Sequence, residues 1–351
     1  MAQSPWLPLR WSGALPAGDL APLNCLYGGG EGLPVLTADD LKGVQIPKRA
    51  LWPSVRVSVN GAAEAGPTGA PWVNANGWLI RMLRFRDPTR PVLLDTKPAA
   101  ARPASQVLAV ADAMAYGASW VVTHSPETWP QVRVALQFFE RKAEWRGWQP
   151  VAALTVIGDF AGANEGIGGE CLNLLTRRQV GFRLAAPGDV AALGNAGAAA
   201  WVSTAPVPME KYLPWIRGGG TLIVHGEANS RVEGKGRIIG RPEPWNDAYA
   251  AVAGIHLALT RRTDVLRLWN AGSFNTFYQT EPHGNRGVVQ LINYAVNAGS
   301  NDTSIWLARP WKKAVLTTFE KQMPLKTTPS NGGIEIPLAP LGVYAAIELE
   351  A

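Results

Sequence analysis

Four acidic side chains stand where an apolar segment gives way to a loop. Glu64 lies in NGAAEAGPTG, Asp95 closes RPVLLD, Asp159 closes ALTVIGD, and Glu165 lies in the loop that follows. Parallel α/β units collect their working residues at the carboxyl ends of strands and in the loops beyond them, so this placement can bring acids from separate segments to one edge. Two carboxyl groups facing each other across an acetal linkage can cleave it, at about 5–5.5 Å with retention or about 6.5–9.5 Å with inversion. Glu64 and Asp95 flank PWVNANGW, residues 71–78, and are the first pair to consider. The competing reading is that Asp95 caps a turn and Glu64 is only solvated.

PWVNANGW sets tryptophans and asparagines in alternation. In an extended segment Trp72, Asn74, Asn76 and Trp78 share one face, because all four positions are even. An indole face suits the C–H groups of a sugar ring, and amides both donate to and accept from hydroxyls, so the four would form a substrate-binding platform. Asn76-Gly77 is also a turn signal, and the two readings stand side by side. His124, ending SWVVTHS, occupies a position suited to a polar site residue; a histidine bonded to backbone is the alternative.

Other chemistries find less support. The four histidines have no paired spacing and suggest no metal site. VIGDFAGANEGIGG follows a strand and leads into a helix, but it departs from G-x-G-x-x-G, and GFRLAAPGD offers no acid for a ribose. Neither a P-loop nor G-x-S-x-G occurs, so no cofactor is expected. Cys25 and Cys171 are the only cysteines and lie far apart. They could pair, but a chain of this length needs no staple.

Hydrophobic periodicity supplies the elements that must position these residues. Residues 1–50 are rich in Pro and Gly and read as irregular chain with short strands. Strand, helix, strand and helix follow at 90–95, 104–118, 119–125 and 130–148, an order of parallel βα units. A second α/β region begins at PVAALTVIGD, with strands at 150–159, 181–185, 196–203 and 218–226 and helices at 164–179 and PMEKYLPWIR; it predicts a small doubly wound sheet. An amphipathic helix at 245–262 ends it. Beyond residue 265, short alternating strands separated by turns signal an antiparallel sandwich.

The run from VAALTVIGD through LLTRRQVGFRL to WIRGGGTLIVHG and KGRIIG resembles the glutamine-amidotransferase-like middle domain of β-galactosidase-type glycoside hydrolases. GNRGVVQLINYA and PLAPLGVYAAIELE resemble the sandwich that follows it in that family, and VADAMAYGASWVVT with LQFFERKAEWRGWQPVAAL resembles the last barrel unit and its exit helix. The resemblance implies α/β plus all-β architecture in three parts: a reduced (β/α) barrel-like domain at 1–149, a flavodoxin-like domain at 150–262 and a β-sandwich at 263–351. A complete barrel takes about 250 residues, far more than the N-terminal part holds, and the family's catalytic glutamates lie on barrel strands not identified in this chain, so none is carried over. Cys171 falls inside a helix instead of on a strand-to-helix elbow, which argues against glutamine hydrolysis.

Composition sets the outer limits. The chain has 351 residues, 47% hydrophobic and 17% charged, enough for two or three packed domains. Its formal charge of +6 is scattered without a basic face, which argues against nucleic acid. No apolar run approaches a membrane span, and MAQSPWLPLRW lacks the form of a signal peptide. The expected location is secreted or periplasmic as a mature bacterial chain, or otherwise cytoplasmic. The functional expectation is a carbohydrate-active protein of glycoside hydrolase-like character working through a carboxylate pair. The alternative is a non-catalytic glycan-binding or assembly protein, and a homo-oligomer fits either.

Overall fold

The computed structural model describes residues 9–12, 26–27, 42–55, 73–96, 102–123, 127–194, 197–227, 229–242, 247–260, 263–296 and 302–351. In the N-terminal part, strands β1 (Leu9–Ser12) and β2 (Leu26–Tyr27) pair in parallel, while β3 (Ser54–Val55) and β4 (Val73–Asn74) pair antiparallel. β5 (Leu93–Leu94) runs parallel to β6 (Ser119–Trp120), and β7 (Val122–Thr123) runs parallel to β1. A parallel bridge joins Gln45 to Val92. Among the described residues these pairs remain separate, the parallel sets β2-β1-β7 and β5-β6 forming an open array beside the antiparallel β3-β4 pair, and they do not close into a barrel.

Three helices accompany the array: α1 (Gly77–Arg86), α2 (Pro103–Met114) and α3 (Trp129–Arg141). Pro103 begins α2 where its missing N–H costs nothing, and every residue from Gln106 to Met114 is buried. A helix enclosed on all sides is central to the fold, not laid over its surface. α3 is two-sided and buries Val132, Ala135, Leu136, Phe138 and Phe139.

The chain then contributes β8 (Gln149–Pro150) to a distant sheet and enters the middle sheet. That sheet consists of β9 (Leu154–Ile157), β10 (Phe182–Ala185), β11 (Ala198–Trp201), β12 (Thr221–His225), β13 (Arg231–Glu233) and β14 (Gly236–Arg241). Its order is β10-β9-β11-β12-β14-β13, parallel except for the β13–β14 hairpin. The order therefore reverses between β9 and β11, the crevice where doubly wound sheets take ligands. Helices α4 (Asn164–Arg177) and α6 (Ala248–Leu259) pack together, while α5 (Met209–Arg217) contacts β14. The strands sort by parity. Leu154, Val156, Ala200 and Ile223 join the main core, whereas Ile157, Ala199, Trp201 and Leu222 pack with Tyr212, Trp215 and Ile216 of α5.

The remaining strands are β15 (Leu266–Trp269), β16 (Phe274–Thr280), β17 (Arg286–Asn293), β18 (Thr303–Leu307), β19 (Lys313–Thr317), β20 (Gln322–Pro324), β21 (Thr328–Ser330), β22 (Gly333–Leu338) and β23 (Tyr344–Glu350). They form two antiparallel sheets, β15-β18-β22-β21 and β20-β19-β23-β17-β16-β8. Leu266, Ile305, Ile336, Val289, Leu291, Ile347 and Leu349 share one core between the sheets. The larger sheet is buried on its outer face as well, where Val288, Ile292, Tyr344 and Ala346 join the main core with α2 and α3. This explains why RGVVQLIN is apolar almost throughout instead of alternating.

Buried amides tie the larger sheet to the N-terminal part. Gln290 Nε2 donates to Ala115 O at 3.1 Å and to Gln279 Oε1 at 2.9 Å, while the Tyr344 hydroxyl donates to Gln290 Oε1 at 2.8 Å. Gln279 Nε2 in turn donates to the carbonyls of Trp145 and Trp148. Nearby, Lys142 Nζ pairs with Glu348 Oε1 at 2.7 Å.

Candidate functional site

PWVNANGW is extended only at Val73–Asn74; the chain turns helical at Gly77. The cause is local. Asn76 accepts from the Leu51 N–H through Oδ1 at 2.9 Å and donates from Nδ2 to Leu51 O at 2.8 Å. The same Nδ2 lies 2.7 Å from Asp112 Oδ2, and the Asn76 N–H also donates to that carboxylate. Gly77 lies so close to Tyr116 that a Cβ there would sit 2.3 Å from the ring. Asn76 and Trp78 therefore do not share a strand face with Asn74. Asn76 is buried, and Trp78 packs against Gly169 of α4, where an added Cβ would lie 2.7 Å from the indole. Asn74 is half-buried and donates weakly to Ser54 Oγ at 3.4 Å.

Asp112 is the residue that sequence reasoning passed over. It is fully buried and accepts from the Tyr294 hydroxyl as well as from Asn76. Burial pushes its carboxyl up to about 6, against the opposite pull of the hydrogen bonds from Tyr294 and Asn76. A lone acid in the otherwise apolar stretch AVADAMAY was the available signal.

The other acids occupy two edges. Asp95 is exposed just beyond β5, at the carboxyl end of the N-terminal array. Asp159 lies at the carboxyl end of β9, beside the middle-sheet crevice, whereas Glu165, expected in the loop, sits in the first turn of α4 because the helix already begins at Asn164. Asn164 spans that crevice. Its Nδ2 donates to Asp159 Oδ1 at 3.0 Å and Ser203 Oγ at 3.2 Å, and its Oδ1 accepts from the N–H and hydroxyl of Thr204, both at 2.8 Å. The amide is thus saturated and joins the loops after β9 and β11. Phe160, at φ 51°, lies in the turn from Asp159 to Asn164. Glu165 pairs with Arg86 of α1 at 3.4 Å, both partly exposed. Glu64, Trp72 and His124 lie outside the described residues.

Cys171 is a free, buried thiol on α4, pushed up to about 12 by burial with Glu170 adding to it. It supplies no thiolate at neutral pH. Among the described residues no group of three His, Cys, Asp or Glu side chains could hold a metal ion, and no helix is long and apolar enough to cross a membrane.

Arranged this way, an open parallel array, a doubly wound sheet and a pair of antiparallel sheets follow one another along the chain. No family model matches the sequence, and neither does any curated protein. Solved structures match the backbone. An α-L-fucosidase isoenzyme 2 from Paenibacillus thiaminolyticus superposes with a TM-score of 0.56 at 9% identity, covering 74% of this chain and 60% of that one. A rhamnosidase from Novosphingobium sp. PP1Y gives 0.55 at 13% identity, over 93% and 37%. A GH42 β-galactosidase from G. stearothermophilus gives 0.51 at 11% identity, over 78% and 56%. The fold is glycosidase-like. The chain spans less than two thirds of the length of each of these structures, from 37% to 60%.

Proposed function

We propose that this chain is a carbohydrate-active protein with glycoside hydrolase-like chemistry at the carboxyl edge of its N-terminal parallel array. The observation that carries the reading is the backbone likeness to three glycosidases, joined by an exposed Asp95 at that edge. Asp95 and Glu64 are the proposed carboxylate pair. Asn74, Trp72 and His124 complete the proposed sugar contacts, since Asn76 and Trp78 are already engaged within the fold. In this reading residues 1–149 are a reduced barrel, 150–262 a glutamine-amidotransferase-like unit and 263–351 a β-sandwich, in a secreted or periplasmic protein that self-associates.

A second reading, a non-catalytic glycan-binding or assembly protein, draws on the remaining acids. Asp159 is held by Asn164 and Glu165 by Arg86, so both already serve the fold. A hydrolysis screen against aryl glycosides and polysaccharides, with Glu64→Gln and Asp95→Asn in parallel, separates the two. Turnover lost in either variant supports the enzyme. Glycan binding without turnover supports the glycan-binding form of the second reading, and neither binding nor turnover rejects both carbohydrate readings and leaves assembly, which a measurement of oligomeric state then tests.

A further inference from the structure

We propose that the groove between the middle sheet and the β15 edge of the smaller antiparallel sheet binds an acidic sugar, a ring bearing a carboxylate or sulfate. The inference rests on the carbohydrate-active reading above. The groove lies at the amino ends of β9 and β10, beside Ala153 and Gly181, at the opposite end of the middle sheet from Asp159. Its volume is about 370 Å³, in the range of small-molecule sites.

The walls suit such a ligand. Among the described lining residues, Arg178 and Arg267 face one carboxylate, Asp264, which Arg267 already engages at 2.7 Å. Arg178 lies over the Tyr249 ring, 5.1 Å from its centroid, and among the described residues it makes no ion pair. A guanidinium backed by an aromatic ring is a planar, pre-oriented donor for a carboxylate or sulfate. The Thr260 hydroxyl, also lining the groove, is buried, and among the described residues it has no hydrogen-bond partner. An enclosed hydroxyl is expensive to leave unmade, and a polar ligand would satisfy it. Trp269 stands 44% exposed on the same wall and offers an indole face to a sugar ring.

The floor adds to the positive field. Residues 179–181 and 265–266 line both the groove and a deeper cavity of about 20 Å³ that reaches Arg81, so the two spaces adjoin. The Arg81 guanidinium lies 3.7 Å from the Phe182 ring centroid and donates to Phe182 O. The inner cavity has room for about one water, so the sugar itself would stay in the outer groove.

The test is calorimetric titration of the full chain with trigalacturonate, galactose 6-sulfate, galactotriose and inorganic sulfate. We expect one or both acidic sugars to bind, and galactotriose to bind at least about tenfold more weakly. Comparison of the first two identifies which anionic group is preferred. Arg178→Gln should weaken the acidic sugar about tenfold and Trp269→Ala about fivefold. Thr260→Val should hold or raise Tm, since it removes an enclosed unpaired hydroxyl, and still weaken binding about threefold, which a merely structural hydroxyl would not do. Inorganic sulfate binding as tightly as the sugars would overturn the sugar assignment. Acidic-sugar binding untouched by all three variants would overturn the groove while leaving the carbohydrate reading in place. No binding by either acidic sugar also overturns the inference, and the hydrolysis screen then decides the broader reading independently.

Discussion

Tyr294, just beyond the end of β17, donates its hydroxyl to the carboxylate of Asp112 on α2, a residue 182 positions earlier. The pair joins the N-terminal helices to the C-terminal sheet, and with Asn76 it forms a polar node inside the main core. Its geometry makes stability depend on pH. Burial raises the Asp112 carboxyl to about 6 in the folded chain from the ordinary 3.8, so the folded state holds this proton more tightly than the unfolded state does. Stability from this group is therefore full below about pH 4, falls as pH rises towards 6, and is level above it; the loss is about 3 kcal/mol. Asp112→Asn should abolish that slope, as measured by urea unfolding from pH 4 to 7. An identical slope in the variant would assign the dependence to another group.

The amide pair Gln279–Gln290 should behave as a unit. Gln290→Leu leaves the Ala115 carbonyl, the Tyr344 hydroxyl and the Gln279 oxygen without this partner, a cost of about 2–4 kcal/mol. Replacing both glutamines by leucine should cost clearly less than the sum of the single changes. Additive losses in a double-mutant cycle would show that the two amides act separately.

Two glycines on α4 provide an internal comparison. A Cβ at Gly169 would press on Trp78, whereas a Cβ at Gly166 meets nothing within 4 Å. Gly169→Ala should destabilise by about 1–3 kcal/mol through overpacking. Gly166→Ala should stabilise by about 1 kcal/mol through helix propensity. Equal effects in thermal melts would mean that the α1–α4 contact is looser than described.

Cys171 should resist thiol reagents in the folded protein and react on unfolding. Its burial and raised thiol both suppress the thiolate. In a Cys25→Ser background, a disulfide-exchange reagent should show no native-state labelling on the timescale of minutes. Rapid labelling would contradict the enclosed α4 position.

Much of the element order was legible because periodicity is a local property. The strands of the middle sheet and the run RGVVQLIN announce themselves by length, apolar content and bounding glycines. The helix α1 did not, because Asn-Gly is a turn signal in isolation. What converts it to a helix start is Asn76 bonding to Leu51 and Asp112, contacts 25 and 36 residues away. The strand Phe274–Thr280 is poorly marked too, since FNTFYQT mixes polar and aromatic residues whose burial on both faces depends on distant partners. The site was less legible still. Asp112 and the groove around Arg178 and Thr260 are assembled by tertiary packing, and no spacing in the sequence brings their parts together.

The pairing of β8 with β16 has a consequence for how the chain is made. Gln149 and Pro150 find their strand partners at residues 279–280, and α2 and α3 bury their apolar sides against strands that extend to Glu350. During synthesis the first helices leave the ribosome long before the surface they cover exists. The middle sheet, whose strands pair only among themselves, can close first. The N-terminal helices must wait with apolar surface exposed until the last strands arrive, which marks them as the part of the nascent chain most dependent on a chaperone.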